Sequence, residues 1–112
     1  MVLKDVLSVI WSIAGHPCNK SYYHLALVVY YSCQVEFYAY FSLERQIYPL
    51  VANETGVSTK AISRNVARAA DDCWDYGDRK RLESIAGRTL FEKPTPKELI
   101  FYLCAFLTGT RD

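Results

Sequence analysis

The sequence predicts an all-α fold: a compact bundle of six to seven helices that contains a helix-turn-helix. The five glycines and four prolines lie where helices are expected to begin or end. Between these breaks, apolar residues recur at helical spacing. A tight turn containing Gly56 joins two helical segments at about residues 49–75. With 112 residues, 51% of them hydrophobic, the chain is predicted to be one domain over residues 1–112 with a buried core.

Three helices are predicted before the helix-turn-helix. The first covers about residues 2–14 and ends at Gly15; its apolar side carries Val6, Leu7, Ile10, Trp11 and Ile13. The second runs from about residues 19–21 to 33, and the third from about 36 to 47. Few signals mark the boundary between the second and third, so a single bent helix is the alternative.

Capping signals define the helix-turn-helix. Pro49 is expected at the first position of the fourth helix, because a proline there has no backbone N–H left unsatisfied. Ser58 is a favourable N-cap for a fifth helix of about 18 residues, which closes at Tyr76-Gly77. This pair predicts a short helix, a turn and a long second helix.

Two further helices are predicted after the helix-turn-helix. Asp78 caps a short sixth helix that ends at Gly87, and residues 88–93 read as an extended linker. Thr95 and Glu98 then form a capping box with a proline in the first turn, which predicts a last helix that stops before Gly109.

The long fifth helix is predicted to have two faces. At about 100° per residue, Lys60, Arg64 and Arg68 fall on one stripe. The opposite, core-facing stripe carries Ile62, Val66, Ala69 and Cys73. The outward face also carries Ala61, Ser63, Asn65 and Ala67, whose small size lets a backbone approach closely. The second helix of a helix-turn-helix enters the DNA major groove, so this stripe is a candidate DNA-binding surface; a plain solvated face is the alternative.

Charge supports a local DNA-binding surface only. The net charge is +1, which is small for a nucleic-acid-binding protein, but most of the 13 Lys and Arg lie after residue 57 and positions 60–68 contain no acid. Asp71 and Asp75 continue the cationic stripe, beside Asp72. Because these carboxylates repel phosphates, only the first turns of the helix are expected to face DNA.

No catalytic, metal or cofactor site is predicted. The four cysteines include no Cys-x-x-Cys spacing, and Cys33, Cys73 and Cys104 lie in apolar helical runs as expected for core residues. His16 and Cys18 flank a proline, but a loop thiol without an oriented base is inert. The sequence therefore indicates a protein that is not an enzyme and has no small-molecule substrate.

A membrane-spanning segment is not expected. The stretch from Tyr22 to Leu43 has Glu36 as its only formal charge, but tyrosines and polar residues interrupt it. The N-terminus has no signal-peptide pattern, because charge breaks its apolar run early. A cytoplasmic location is the expectation.

The chain resembles the C-terminal DNA-binding effector domain of the sporulation-initiation response regulator of endospore-forming bacteria. The residues that carry the resemblance are Tyr48-Pro49, Trp74-x-x-Gly77, Ser84-Ile85-x-Gly87 and Lys93-Pro94-Thr95, with weaker similarity back to Gly15 and Pro17. It implies an all-helical transcriptional regulator that reads a short element of double-stranded DNA and binds it as tandem copies. It also implies a receiver domain; a stand-alone protein without one and a fragment both fit a chain that starts at Met1.

The resemblance carries some DNA contacts over and puts others in doubt. Arg64 matches a family arginine of the second helix, Arg68 stands in place of a histidine, and Arg45 stands in place of a lysine. Ala61 and Ala67 each replace a family arginine, and Ser63 replaces a glutamate. The residues predicted to contact DNA are Ser58, Thr59, Lys60, Ser63, Arg64, Arg68 and Arg45.

A second candidate function comes from the apolar run Leu25–Tyr31, which carries no charge. A run of this kind on a helix cannot bury all its sides in a small domain unless something covers the outside, and tyrosines are common at interfaces. Residues 22–41 are therefore predicted to form a homodimer or protein-partner surface; a core helix wrapped by its neighbours is the alternative. On this basis the alternative function is a protein-interaction module.

Overall fold

The computed structural model describes residues 1–35 and 42–109. In these ranges the chain forms six α-helices and one π-helical segment, so the predicted all-α fold is confirmed. The elements, in order, are α1 (Leu3–Trp11), α2 (Ser21–Gln34), the π-helical segment Leu43–Ile47, α3 (Tyr48–Thr55), α4 (Thr59–Tyr76), α5 (Arg79–Ala86) and α6 (Pro96–Thr108).

The first helix is shorter than predicted. It ends at Trp11, and the Ser12 hydroxyl donates a hydrogen bond to the Val9 carbonyl at 2.5 Å. Val6, Ile10 and Ile13 are buried as predicted. The prediction for Trp11 is wrong: its side chain is 53% exposed, because it lies a quarter turn from the buried face that Val6 and Ile10 define.

The second and third predicted helices are separate. Helix α2 ends at Gln34 and Val35 is extended, so one helix bent through this boundary is wrong. The first six residues of the predicted third helix, 36–41, lie outside the described residues. Its remainder is the π-helical segment Leu43–Ile47, which runs directly into α3. Pro49 is the second residue of α3, one position after the predicted opening, because Tyr48 already belongs to the helix.

The remaining predicted boundaries agree with the structure. Ser58, Asp78 and Thr95 each accept a hydrogen bond from a backbone N–H at the start of α4, α5 and α6. Thr95 and Glu98 form the predicted capping box. Helices α5 and α6 end at Gly87 and Gly109, both with positive φ. Side-chain caps thus fix the start of every helix in the second half of the chain.

Helix α2 is the centre of the domain. Leu25–Val29, five consecutive residues, are each at most 1% exposed. Helices α1, α3, α4 and α6 pack around them and cover every side. These five residues therefore need no outside partner to cover them, whereas Tyr30 and Tyr31, which complete the predicted run, are half-buried. The later part of the predicted partner surface, residues 36–41, lies outside the described residues.

The loop between α1 and α2 is fastened to the C-terminal half of α4. Asp72 accepts hydrogen bonds from the His16 backbone N–H at 2.7 Å and from the Tyr22 hydroxyl at 2.5 Å, and its other oxygen lies 2.6 Å from His16 Nδ1. Burial and the bond to Asp72 raise the pKa of Tyr22 well above its usual range. Burial raises the pKa of Asp72, but the bonds from Tyr22 and His16 outweigh it, so the net pKa is lowered.

Two glycines make this close packing possible. A Cβ on Gly77 would lie 2.0 Å from the Ile13 carbonyl oxygen, and one on Gly15 would lie 2.6 Å from the Tyr76 Cβ. Neither position has room for a side chain, so the turn after α1 approaches the end of α4 to backbone contact. In the described residues, no helix is both long enough and apolar enough to cross a bilayer.

Candidate nucleic-acid interface

The turn between α3 and α4 has the predicted geometry. Gly56 ends α3 in the left-handed region at φ 75°, which a glycine adopts without strain. The Thr55 hydroxyl donates to the Val51 carbonyl at 2.8 Å and accepts from the Val57 N–H at 3.3 Å. The Ser58 hydroxyl accepts from the Ala61 N–H at 3.1 Å and starts α4. Local hydrogen bonds therefore fix the angle between the two helices.

Helix α4 has the two faces that the spacing predicts. Its core stripe is buried, and the residues in it are Ile62, Val66, Ala69 and Cys73. The side chains of Lys60, Arg64 and Arg68 are exposed on the other side. Neither of the ion pairs found in residues 1–35 and 42–109 involves these three cations. Their charge is thus available to an anionic partner.

Asn65 does not belong to the outward face. It is half-buried, and its side-chain nitrogen lies 2.8 Å from Nδ1 of His24 on α2. Burial lowers the pKa of His24, which favours the neutral imidazole that can accept this hydrogen bond. The prediction that Asn65 faces outward is wrong because 100° of rotation from Arg64 brings it against α2.

Two of the three aspartates on α4 are already paired. Asp71 accepts from Lys93 Nζ at 2.5 Å, and Asp72 is turned towards the loop before α2. Asp75 is exposed at the last turn. The repulsion of phosphates expected from this group is therefore partly neutralised and confined to the C-terminal end of the helix.

A groove with a volume of about 440 Å³ runs along the N-terminal half of α4. The residues that line it are Glu44, Tyr48, Thr59, Lys60, Ser63, Arg64 and Ala67. Four of the seven predicted DNA-contact residues therefore meet in one surface. The other three, Ser58, Arg68 and Arg45, are exposed but do not line it.

A second groove of about 440 Å³ continues the first across Ser63. It extends the surface to the start of α6, and its residues are Ser42, Leu43, Glu44, Tyr48, Ser63, Thr95, Pro96 and Lys97. The sequence predictions did not include the contributions of Glu44, Tyr48 and Lys97. The proximity of Tyr48-Pro49 to the turn was a usable signal for Tyr48, but α6 reaches this surface only through its packing on α4.

Two other surface grooves lie near the start of α6, but neither is lined by a residue predicted to contact DNA. Cys73 and Cys104 are buried and Cys33 is half-buried, in line with core roles, whereas Cys18 is exposed. Within residues 1–35 and 42–109, no group of three His, Cys, Asp or Glu side chains is placed to hold a metal ion. The groove beside α4 is therefore the candidate site.

A short helix, a three-residue turn and a capped second helix with a free cationic face define a helix-turn-helix domain of the DNA-binding class. The family model described as the sporulation initiation factor Spo0A C terminal matches residues 6–107. The chain belongs to this family, whose domain is the DNA-binding effector domain of a sporulation regulator. No curated protein matches the chain. The fold and family resemblance expected from the sequence are thus confirmed.

Proposed function

We propose that this domain binds double-stranded DNA in a sequence-specific manner and regulates transcription. The observation that carries the proposal is the cationic face of Lys60, Arg64 and Arg68 on the second helix of a helix-turn-helix. The opposite face of that helix is fastened to the core, so the helix is presented as a rigid rod. Family membership supports DNA binding in general, and the arrangement of this face supports the specific role.

Base contacts are assigned to the middle of the groove. Arg64 has the bidentate donor geometry that suits guanine O6 and N7, and Lys60 and Ser63 lie beside it on the same groove. The first turns of α4 can enter the major groove, because the short side chains of Ala61 and Ala67 let the helix backbone approach the DNA closely.

Phosphate contacts are assigned to the rim. The first backbone N–H groups of α4 carry the positive end of the helix dipole, and Ser58 and Thr59 begin this turn. Arg45 on the π-helical segment and Arg68 on α4 are exposed on the two elements that contribute to the groove. Contacts of this kind fix the position of the protein on DNA without selecting a sequence.

The test is selection from a pool of random duplexes, followed by binding measurements at several salt concentrations. We expect an enriched sequence and an affinity that falls steeply with added salt. The Arg64→Ala variant should lose about 1–3 kcal/mol of binding free energy and relax the preference at one base pair. Lys4→Ala on α1 removes the same charge away from the groove and serves as the control. Unchanged affinity and preference in Arg64→Ala would refute the assignment.

A protein-interaction module has less support from the structure as a second function. In the run that suggested it, Leu25–Tyr31, residues Leu25–Val29 are covered by helices of the same domain, whereas Tyr30 and Tyr31 are half-buried. The salt titration still separates the two ideas, because an apolar protein contact would not weaken with added salt as DNA binding does.

A further inference from the structure

A carboxylate lies in the middle of the proposed DNA-binding surface. Glu44 is exposed at the start of the π-helical segment, and it lines both grooves beside α4. It shares the first groove with Lys60 and Arg64, and the second with Lys97. Burial and the charge of Glu44 together raise the pKa of Tyr48 to about 12, which places that carboxylate near the Tyr48 ring at the floor of the groove.

This acid has no cationic partner in the described residues. The ion pairs there are His16–Asp72 and Lys93–Asp71, so Glu44 stays unpaired although cations surround it. An unpaired carboxylate on a surface that meets phosphates is unfavourable for general affinity. Such a group is useful only where it meets a hydrogen-bond donor of the DNA.

The backbone around Glu44 is held in place. The Ser42 hydroxyl accepts from the Arg45 N–H at 3.2 Å, and the Ser42 N–H donates to the Gln46 side-chain oxygen at 2.9 Å. The segment continues without a break into α3, the first helix of the helix-turn-helix. These bonds and the continuous helix hold the backbone at Glu44 in a defined place beside the helix-turn-helix.

The base edges of the major groove supply the donor. An ionised carboxylate only accepts hydrogen bonds, and the exocyclic amino group of cytosine is the donor that Glu and Asp contact there. Phosphate and sugar oxygens cannot donate to it. A guanine read by Arg64 and a neighbouring cytosine amino group would present complementary groups to this pair of side chains.

We propose that Glu44 is a specificity-determining residue that accepts a hydrogen bond from a cytosine amino group next to the base pair contacted by Arg64. The inference rests on the proposed function, since it names a second base contact within the same surface. Two elements, the π-helical segment and α4, would then supply the base contacts together.

The experiment is duplex selection with the wild type, Glu44→Gln and Glu44→Ala, with Glu92→Gln as the control. Glu92 is an exposed glutamate on the loop after α5 that lines neither groove. We expect both Glu44 variants to lose about fivefold or more of the preference for cytosine at one position. Affinity for other duplexes should stay equal or rise, because a negative charge has been removed, and Glu92→Gln should keep the full preference.

Two results would overturn the inference alone. In the first, the variants bind all duplexes more tightly and keep the enriched sequence, which would make Glu44 a repelling charge only. In the second, affinity and preference are both unchanged. A wild-type protein that enriches no sequence would instead overturn the proposed function, and this inference with it.

Discussion

Substitution of Gly77 by alanine tests how α4 is fastened to the rest of the domain. The backbone of Gly77 is extended, with φ −87° and ψ −173°, a conformation that alanine adopts freely. On conformational grounds alone, alanine should stabilise the domain by about 0.4–1 kcal/mol, because it restricts the unfolded chain. The packing predicts the opposite result.

The magnitude follows from the contacts that a Cβ would make. It would lie 2.0 Å from the Ile13 carbonyl oxygen and 2.5 Å from that of Cys73, both of them backbone atoms. The turn after α1 or the end of α4 must therefore move by about 1 Å, in an interior that is packed as densely as a crystal. Overpacking of this kind costs up to about 3 kcal/mol. After the gain in the unfolded state is subtracted, the net loss is about 2 kcal/mol, or about 8 °C in Tm.

Gly56 supplies the matched control. Nothing lies within 4 Å of a Cβ at this position, but φ is +75°. Gly56→Ala should therefore cost about 1–2 kcal/mol for backbone conformation alone, and Gly56→Asn should cost less, since asparagine tolerates this region. At Gly77 the order reverses, because asparagine is larger than alanine. Urea and thermal unfolding of the four variants would measure these differences.

The opposite ranking would refute this reasoning. If Gly77→Ala is as stable as the wild type, or if asparagine is tolerated better than alanine at Gly77, the turn after α1 packs more loosely on the end of α4 than the contacts indicate.

Two further predictions concern titrating groups. The pKa of Asp72 is lowered, so its contribution to stability is complete above an unfolded-state pKa of about 4 and is lost as the pH falls through the folded-state value. Denaturant unfolding between about pH 5 and 2 should therefore show a steeper loss of stability for the wild type than for Asp72→Asn. Parallel curves would contradict this role of Asp72. Thiol labelling at about pH 8 with peptide mapping should modify the exposed Cys18 first. Burial raises the pKa of Cys73 to about 11, so Cys73 should react only on unfolding, and early modification would contradict its burial.

The sequence predicts the second half of the fold better than the first. Ser58, Asp78 and Thr95 mark helix starts correctly because an N-cap hydrogen bond joins residues only three apart. The sequence does not define the first residue of α3, because Pro49 fits both the opening position and the first turn of a continuing helix. Which of these occurs depends on the π-helical segment, in which the Ser42 hydroxyl caps the Arg45 N–H.

The candidate site divides in the same way. Periodicity is a property of one helix, so the exposed face of Arg64 and the buried face of Val66 could be read from spacing. The place of Glu44 and Lys97 could not, because they lie on other elements and reach Ser63 only through tertiary packing. The same limit explains Leu25–Val29: the apolar run is visible in the sequence, but the helices that cover it are not.

Helix α4 combines two tasks that place opposite demands on charge. Its N-terminal half must stay cationic and open to a duplex. In the described residues, neither ion pair involves Lys60, Arg64 or Arg68, so a bound strand has no such pair to displace there. Its C-terminal half carries the acids, and there Asp72 accepts hydrogen bonds from His16 and Tyr22 while Gly77 packs against Ile13 in the turn after α1. A weakened contact at Asp72 or Gly77 should therefore lower stability without altering base preference, since Lys60, Ser63 and Arg64 lie about two turns or more away along the helix. Base preference that changed in a folded Asp72→Asn variant would show that the two halves of α4 are coupled.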